Sequence, residues 1–425
     1  MTDTATNPFD DFQPHSHTPG SARAALASPP FRLMFTGAFL SNIGTWMQNV
    51  VLPAYIYHRT GKASLVGLLI FAQLGPLLIL SIPAGVIADK FDRRKWLIVT
   101  QTVQLFFSLM LFPLAASDAA IWLLFLMQFG VGVGNALNAP AWSASLPTLV
   151  PPQDLSGAIA LNSTLINGSR VIGPIIVAVL SAWGVTTSQF FLMNAVTYLF
   201  VIGALMRVQL PVLQKIASEP GWRQFTAGLK IARERTEINR LLISLATFSF
   251  FSLPYVGLFP AVASLNFGID EGAPVYKWLY ATWGLGAALG GLAIGTIFVK
   301  SDKRRIIQYG FASFAVCLFF FAIARTPIQA FIVGFFLGIA YFATTTSMMT
   351  ILQSRLAPNE RGRVMALWFM AFGGTVPLGN LLFGPVIDHF GARWVLIGGA
   401  IWALLLAWWC NIASVDARKN LVSEK

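Results

Sequence analysis

The chain has 425 residues, 56% of them hydrophobic and only 11% charged, with a formal net charge of +12. A typical soluble domain carries about 25% charged residues. No soluble core could bury this much apolar surface, so composition excludes a soluble globular protein. The basic excess lies in short segments between apolar runs, which puts a membrane reading ahead of nucleic-acid binding.

Residues 1–30 are rich in Pro, Ser, Thr and Ala and lack an apolar h-region, so they read as a disordered cytoplasmic tail and not as a signal peptide. His15 and His17 in that tail have no structured neighbour to make them a metal pair. Twelve apolar runs then follow, each long enough to cross a bilayer at about 20 residues per span. They cover about 31–57, 64–88, 96–116, 120–148, 155–183, 187–209, 238–267, 274–299, 305–324, 327–353, 362–388 and 392–413. Lipid offers the backbone no hydrogen-bond partners, so these runs must be helices. The fold class expected is an all-α membrane protein with twelve transmembrane helices. Cys317 and Cys410 each lie inside an apolar run and form neither a disulfide framework nor a metal site.

Of the 29 Lys and Arg, 23 fall on the side of the N-terminus and five on the other, with Arg170 inside a span. The positive-inside bias therefore places both termini in the cytoplasm of a multi-pass protein of the cell (inner) membrane. The longest internal loop, 210–237, holds Trp222, Phe225 and Leu229 at helical spacing opposite basic residues. It reads as a cytoplasmic linker whose amphipathic helix lies on the inner leaflet. Residues 31–209 and 238–413 are then two six-helix bundles, and 414–425 a second cytoplasmic tail.

The halves repeat. A shift of 206 residues aligns Asp154 with Glu360, Ala160-Leu161 with Ala366-Leu367, Gly168 with Gly374 and Gly173 with Gly379. A shift of 210 aligns Gly85 with Gly295 and Asp92-Arg93-Arg94-Lys95 with Asp302-Lys303-Arg304-Arg305. Six helices separate equivalent positions, so the halves are parallel repeats, an arrangement that leaves a cleft at mid-membrane.

Between the second and third runs lies Gly85-Val-Ile-Ala-Asp89-Lys90-Phe-Asp92-Arg93-Arg94-Lys95, with six charges in seven positions. Its spacing, Gly-x-x-x-Asp-Lys-x-x-Arg-Arg, resembles the loop signature of the major facilitator superfamily. Three further stretches resemble the bacterial exporter branch that includes enterobactin and macrolide efflux proteins: Asn135 to Ala141, Ala160 to Pro174, and Arg361 to Gly379. The resemblance covers about residues 31–413. It implies export of an amphipathic small molecule, drug or siderophore, by alternating access and proton antiport.

A conformational latch is expected from Gly85, Asp89, Arg93 and Arg94. Asp89 can face the positive end of the eleventh helix, Gly85 permits close approach, and Arg93 or Arg94 can pair with Asp89 when the helices part. Topology alone would also account for the basic residues. Arg170 is the only ionisable residue well inside a span, near the bilayer centre, where such a group marks a functional site. The competing reading is a side chain that snorkels to the surface. Gly168, Gly173 and Pro174 resemble the element that bends the fifth helix in facilitator exporters.

Polar and aromatic stripes give the rest of the candidate substrate site: Asn42, Trp46 and Asn49; Gln128, Asn135, Asn138 and Trp142; Phe251 and Tyr255; Tyr341 and Thr345. They lie on the first, fourth, seventh and tenth helices, which line the cleft of the resembled fold. They can equally stitch helices together. No Asp or Glu sits at mid-membrane. Asp388, beside His389 at the outer end of the eleventh helix, is the proton-coupling candidate, though a solvated loop pair is the plainer reading of it. Gln128 stands where the resembled family carries a fourth-helix arginine, so proton coupling rests on resemblance alone. No nucleotide-binding loop, nucleophile–base pair or metal set is present, so neither an enzyme nor a cofactor is expected. The expected partners are a small-molecule substrate and the lipid bilayer, with no nucleic acid, for a monomer. The alternatives are an importer of a small nutrient on the same fold and a non-transporting sensor or scaffold.

Overall fold

An unpaired backbone amide in lipid costs several kcal/mol, so each apolar run must close its own hydrogen bonds. The computed structural model describes residues 17–210 and 221–412; for 81–82, 85–90, 221–225 and 358–359 it gives the backbone alone. The described residues contain helices and no strands.

A short helix, α1 (Ala22–Ala27), precedes six long ones: α2 (Pro29–Thr60), α3 (Ala63–Lys90), α4 (Arg93–Ala116), α5 (Ile121–Ser145), α6 (Leu155–Ala182) and α7 (Thr187–Arg207). After the linker come α8 (Gly221–Glu234), α9 (Thr236–Phe251), α10 (Pro254–Gly257), α11 (Phe259–Phe267), α12 (Pro274–Gly295), α13 (Lys303–Ile323), α14 (Pro327–Ser354), α15 (Pro358–Gly373), α16 (Thr375–Phe390) and α17 (Ala392–Trp409). The twelve expected spans are present, with α9–α11 together forming the seventh and α15–α16 the eleventh. Among the described residues, nine helical stretches are long and apolar enough by themselves to cross a membrane.

The two composite spans differ from expectation. Pro254 opens α10 and Pro260 lies in the first turn of α11, where a missing N–H costs nothing. Pro377 cannot donate to the carbonyl four residues back, at Gly373, which is where α15 ends. Pro53, Pro140 and Pro174 remain inside continuous helices.

The chain forms two compact units. The first comprises the described residues of Met1–Gln48, Ile79–Gly173 and Thr186–Ser218; the second those of Asn49–Leu78, Pro174–Val185 and Glu219–Lys425. The division departs from the sequence boundary: residues 49–78 and 174–185, assigned by the repeat to the first half, belong to the second unit. Within the first unit α4 packs on α5 and α7. Its core includes Phe31, Met34, Leu97, Leu149 and Val201. Within the second, α14 packs on α12 and α13, and α13 on α17. The core here is aromatic: Phe248, Phe259, Trp283, Phe311, Phe314 and Phe321 are fully buried.

The internal repeat extends to the connections. Asp92 caps the start of α4, accepting from Lys95 N–H (2.8 Å), and Asp302 caps α13, accepting from Arg304 N–H (3.0 Å). The Arg304 side chain and backbone N–H hold the Asp302 carboxyl below the usual carboxylate range. Asp154 accepts from Gly20 N–H (2.9 Å) ahead of α1. Its counterpart Glu360 accepts from the Arg235 guanidinium (2.7 Å) ahead of α9. Each acid thus anchors the segment that leads into its half.

Two sequence readings change here. Residues 17–30 are not a structureless tail: Ser21 Oγ caps α1, Ala24 and Ala25 are buried, and Ser28 Oγ donates to the Leu149 carbonyl (2.7 Å). Residues 1–16 lie outside the described residues, as do 211–220 and 413–425. The amphipathic helix exists as α8, but its Gly228 and Ala232 are buried, with Gly228 against the Arg363 backbone of α15. Small residues at i and i+4 give it a protein neighbour on that face. The side chains of Trp222 and Phe225 lie outside the described residues.

Candidate transport site

Arg170 lies close to the middle of the 28-residue α6. Its guanidinium carbon lies 4.7 Å from the centroid of the Trp46 ring on α2, a cation–π arrangement. The two helices cross closely because residue 173 is glycine. A Cβ there would come within 2.7 Å of Trp46 Cβ and 3.0 Å of the Ile43 carbonyl. Gly168, one turn earlier, faces the Phe39 ring at ordinary contact distance. Arg170, Trp46 and Asn42 are all half-buried, and Asn42 and Trp46 share one face of α2.

Three of the remaining polar candidates of this unit are engaged elsewhere. Asn138 Oδ1 accepts from Thr100 Oγ1 (3.0 Å) and Gln101 Nε2 (3.3 Å) of α4. Trp142 Nε1 donates to Asn162 Oδ1 (3.2 Å) of α6. Asn135 is exposed on α5. Gln128 is buried in a four-helix hydrogen-bond cluster that the sequence did not single out. Its Oε1 accepts from Gln48 Nε2 (2.9 Å), while Gln48 Oε1 accepts from Asn194 Nδ2 (2.7 Å) and Ser108 Oγ (3.1 Å). Gln48, on α2, is the hub. Replacing it with leucine removes three buried hydrogen bonds, leaving Asn194 and Ser108 their contact with each other (3.3 Å), and should lower stability by about 1–3 kcal/mol, read from thermal unfolding in detergent.

In the second unit Asn49 Oδ1 accepts from Gln73 Nε2 (2.7 Å). Tyr255 and Tyr341 belong to the aromatic core. The Tyr255 hydroxyl accepts from Trp283 Nε1 (3.1 Å), and the Tyr341 ring is stacked with Trp283. Thr345 Oγ1 donates to the Tyr341 carbonyl one turn back (3.1 Å). Phe251 lies 4.5 Å from Trp402 of α17, ring centroid to centroid, and with Phe383 and Trp394 helps to line an apolar cavity of about 390 Å³.

Beyond their backbone, Gly85 and Asp89 lie outside the described residues. Arg93 Nη1 donates to the Ala144 carbonyl (3.1 Å) near the C-terminus of α5. Arg94 Nε donates to the Leu205 carbonyl (2.7 Å), and its Nη2 to that of Met206, at the C-terminus of α7. Both cations sit where helix dipoles favour positive charge. Asp388 is exposed, as the plainer reading has it, but it is helical and partnered: it lies in the last turn of α16 and accepts from the N–H groups of Ala63 (2.6 Å) and Ser64 (3.0 Å), which open α3. His389 Nδ1 faces its own helix, 2.8 Å from the Pro385 carbonyl. Among the described residues no group of His, Cys, Asp and Glu could hold a metal ion.

Solved structures share this architecture at low sequence identity. A mutant of the nucleoside transporter NupG superposes with a TM-score of 0.74 at 13% identity, over 90% of this chain and 98% of that one. A bacterial homologue of the human lysosomal transporter Spinster, inward-facing and unoccupied, gives 0.68 at 15%, over 91% and 97%. The chain shares the fold of these transporters. It belongs to the transmembrane secretion effector family of the major facilitator superfamily, whose profile matches residues 20–423, and is therefore a membrane transporter and not an enzyme. Its relatives include macrolide efflux protein A of Streptococcus pyogenes, 24% identical over 87% of this chain and 93% of that protein. The staphyloferrin A transporter of Staphylococcus aureus is 27% identical over 85% and 90%, and the enterobactin exporter EntS of Salmonella typhimurium 24% over 80% and 81%.

Proposed function

We propose that this protein exports an amphipathic small molecule, a drug or siderophore, across the bacterial inner membrane by alternating access, as a monomer with both termini in the cytoplasm. The observation that carries this reading is the Arg170 guanidinium over the Trp46 ring at the middle of α6. A fixed cation beside an aromatic face and Asn42 suits a molecule with a flat apolar body and an anionic or carbonyl-rich edge. The relatives named for macrolide efflux, staphyloferrin A transport and enterobactin export support the direction and the substrate class.

Proton antiport is the proposed drive. Asp89, Gly85, Arg93 and Arg94 are proposed to secure the cytoplasmic side, and Gly168, Gly173 and Pro174 to shape the fifth span. The test is accumulation of a panel of macrolides and catecholate or citrate siderophores in cells with and without the protein. The expected result is lower accumulation with it, reversed by a protonophore. Raised accumulation would establish an importer instead, and unchanged export with the protonophore would remove the proton.

A further inference from the structure

We propose that the Asp388 carboxylate is a positioning residue for transport: it latches the outer end of the second span to the eleventh and so holds that end of the pathway shut. The proposal rests on the alternating-access reading above. Both carboxylate oxygens are used, one on each of the first two N–H groups of α3. Those N–H groups have no partner within their own helix, and the dipole of a 28-residue helix favours an anion there. Asp388 thus joins two spans 325 residues apart in sequence through a charge–dipole contact.

The seam beneath it is built for close approach. A Cβ at Gly384 would lie 2.8 Å from the Ala63 carbonyl, and one at Gly67 would run into the Asn380 carbonyl. A Cβ at Gly257, just before the break between α10 and α11, would strike the Asn380 side chain. Three spans therefore meet around Asn380, which is fully buried. A second tie closes the same end: His58 Nδ1 of α2 lies 3.5 Å from the Glu271 carboxylate in the loop before α12. Every group named here belongs to the second unit, which takes residues 49–78 from the first half of the repeat. A contact that must be broken for those residues to leave the second-half helices is a gate contact.

The test needs no substrate. Val66 is buried and adjoins Gly67 of the seam in sequence, and Leu352 is buried near the C-terminus of α14. In a background carrying Cys317→Ala and Cys410→Ala, Val66→Cys and Leu352→Cys are alkylated with a hydrophilic maleimide on purified protein in nanodiscs. Asp388→Ala should speed labelling at 66 by roughly three- to tenfold while leaving 352 protected. Asp388→Asn keeps an acceptor but loses the charge and should fall between. Gly67→Ala forces the seam apart by sterics and calibrates the assay. If Gly67→Ala raises labelling at 66 and Asp388→Ala does not, the latch is wrong. If neither does, the seam does not open and the gate reading fails with it. Equal acceleration at 66 and 352 would assign Asp388 to general stability and overturn the proposal.

Discussion

Replacing Arg170 with alanine should slow export by roughly one to two orders of magnitude, while the protein still inserts and purifies normally. A buried hydrogen bond to a charged group contributes about 1.5–3 kcal/mol. At 1.36 kcal/mol per tenfold in rate, its loss corresponds to roughly 10- to 150-fold slower transport. The folded protein keeps the α2–α6 approach at Gly173 and loses the contact of Arg170 with the Trp46 face. Arg170→Lys is the informative companion. It keeps the charge but has no planar group to lie on an indole, so it should recover part of the rate. Efflux per unit of protein in the membrane is the measurement. Wild-type rates in the alanine variant would reduce Arg170 to a packing residue.

The largest loss of stability is expected from Gly286→Leu. Here α12 and α14 touch backbone to backbone: a Cβ on Gly286 would overlap the Phe335 carbonyl, one on Gly290 the Ile339 carbonyl, and one on Gly338 the Trp283 carbonyl. None of these obstacles is a side chain that could swing aside. Small residues four apart let membrane helices approach this closely, and van der Waals packing is much of what holds them. Overpacking a tight interior costs about 1–3 kcal/mol, and a collision with backbone lies at or above the top of that range. Gly286→Leu should therefore yield little monodisperse protein in detergent, with a sharply lowered unfolding temperature. Leu285→Ala, on the exposed neighbouring position, should not.

Much of this architecture was legible in the residues. Spans declare themselves by apolar length, and the offset shared by Asp154/Glu360 and Gly173/Gly379 disclosed the repeat. The helix breaks were not legible, because a proline alone does not decide them. Pro174 stays inside α6, whereas Pro377 follows Gly373 and Gly374, which add no side-chain packing to hold the helix through. Gln48 does not stand out in the sequence because Asn42, Trp46 and Asn49 form the more conspicuous stripe on another face of the same helix. Its partner Asn194 sits five spans later, and no periodicity within one helix reports that. The Gly286-x-x-x-Gly290 spacing was in plain view as a small-residue motif. Asp388 is exposed, and nothing near it in sequence reveals that the start of α3 stands opposite.

The Gln48 hub also bears on biogenesis. Its amide enters the bilayer with the first span, and the earliest of its partners, Ser108, is made 60 residues later. At synthesis rates of about 5–20 residues per second, the gap is roughly 3 to 12 s. For that interval the nascent chain carries a thirsty side chain through lipid, or keeps it sheltered at the insertion machinery. A ribosome stalled before the third span would leave an orphan amide that quality-control proteases can recognise.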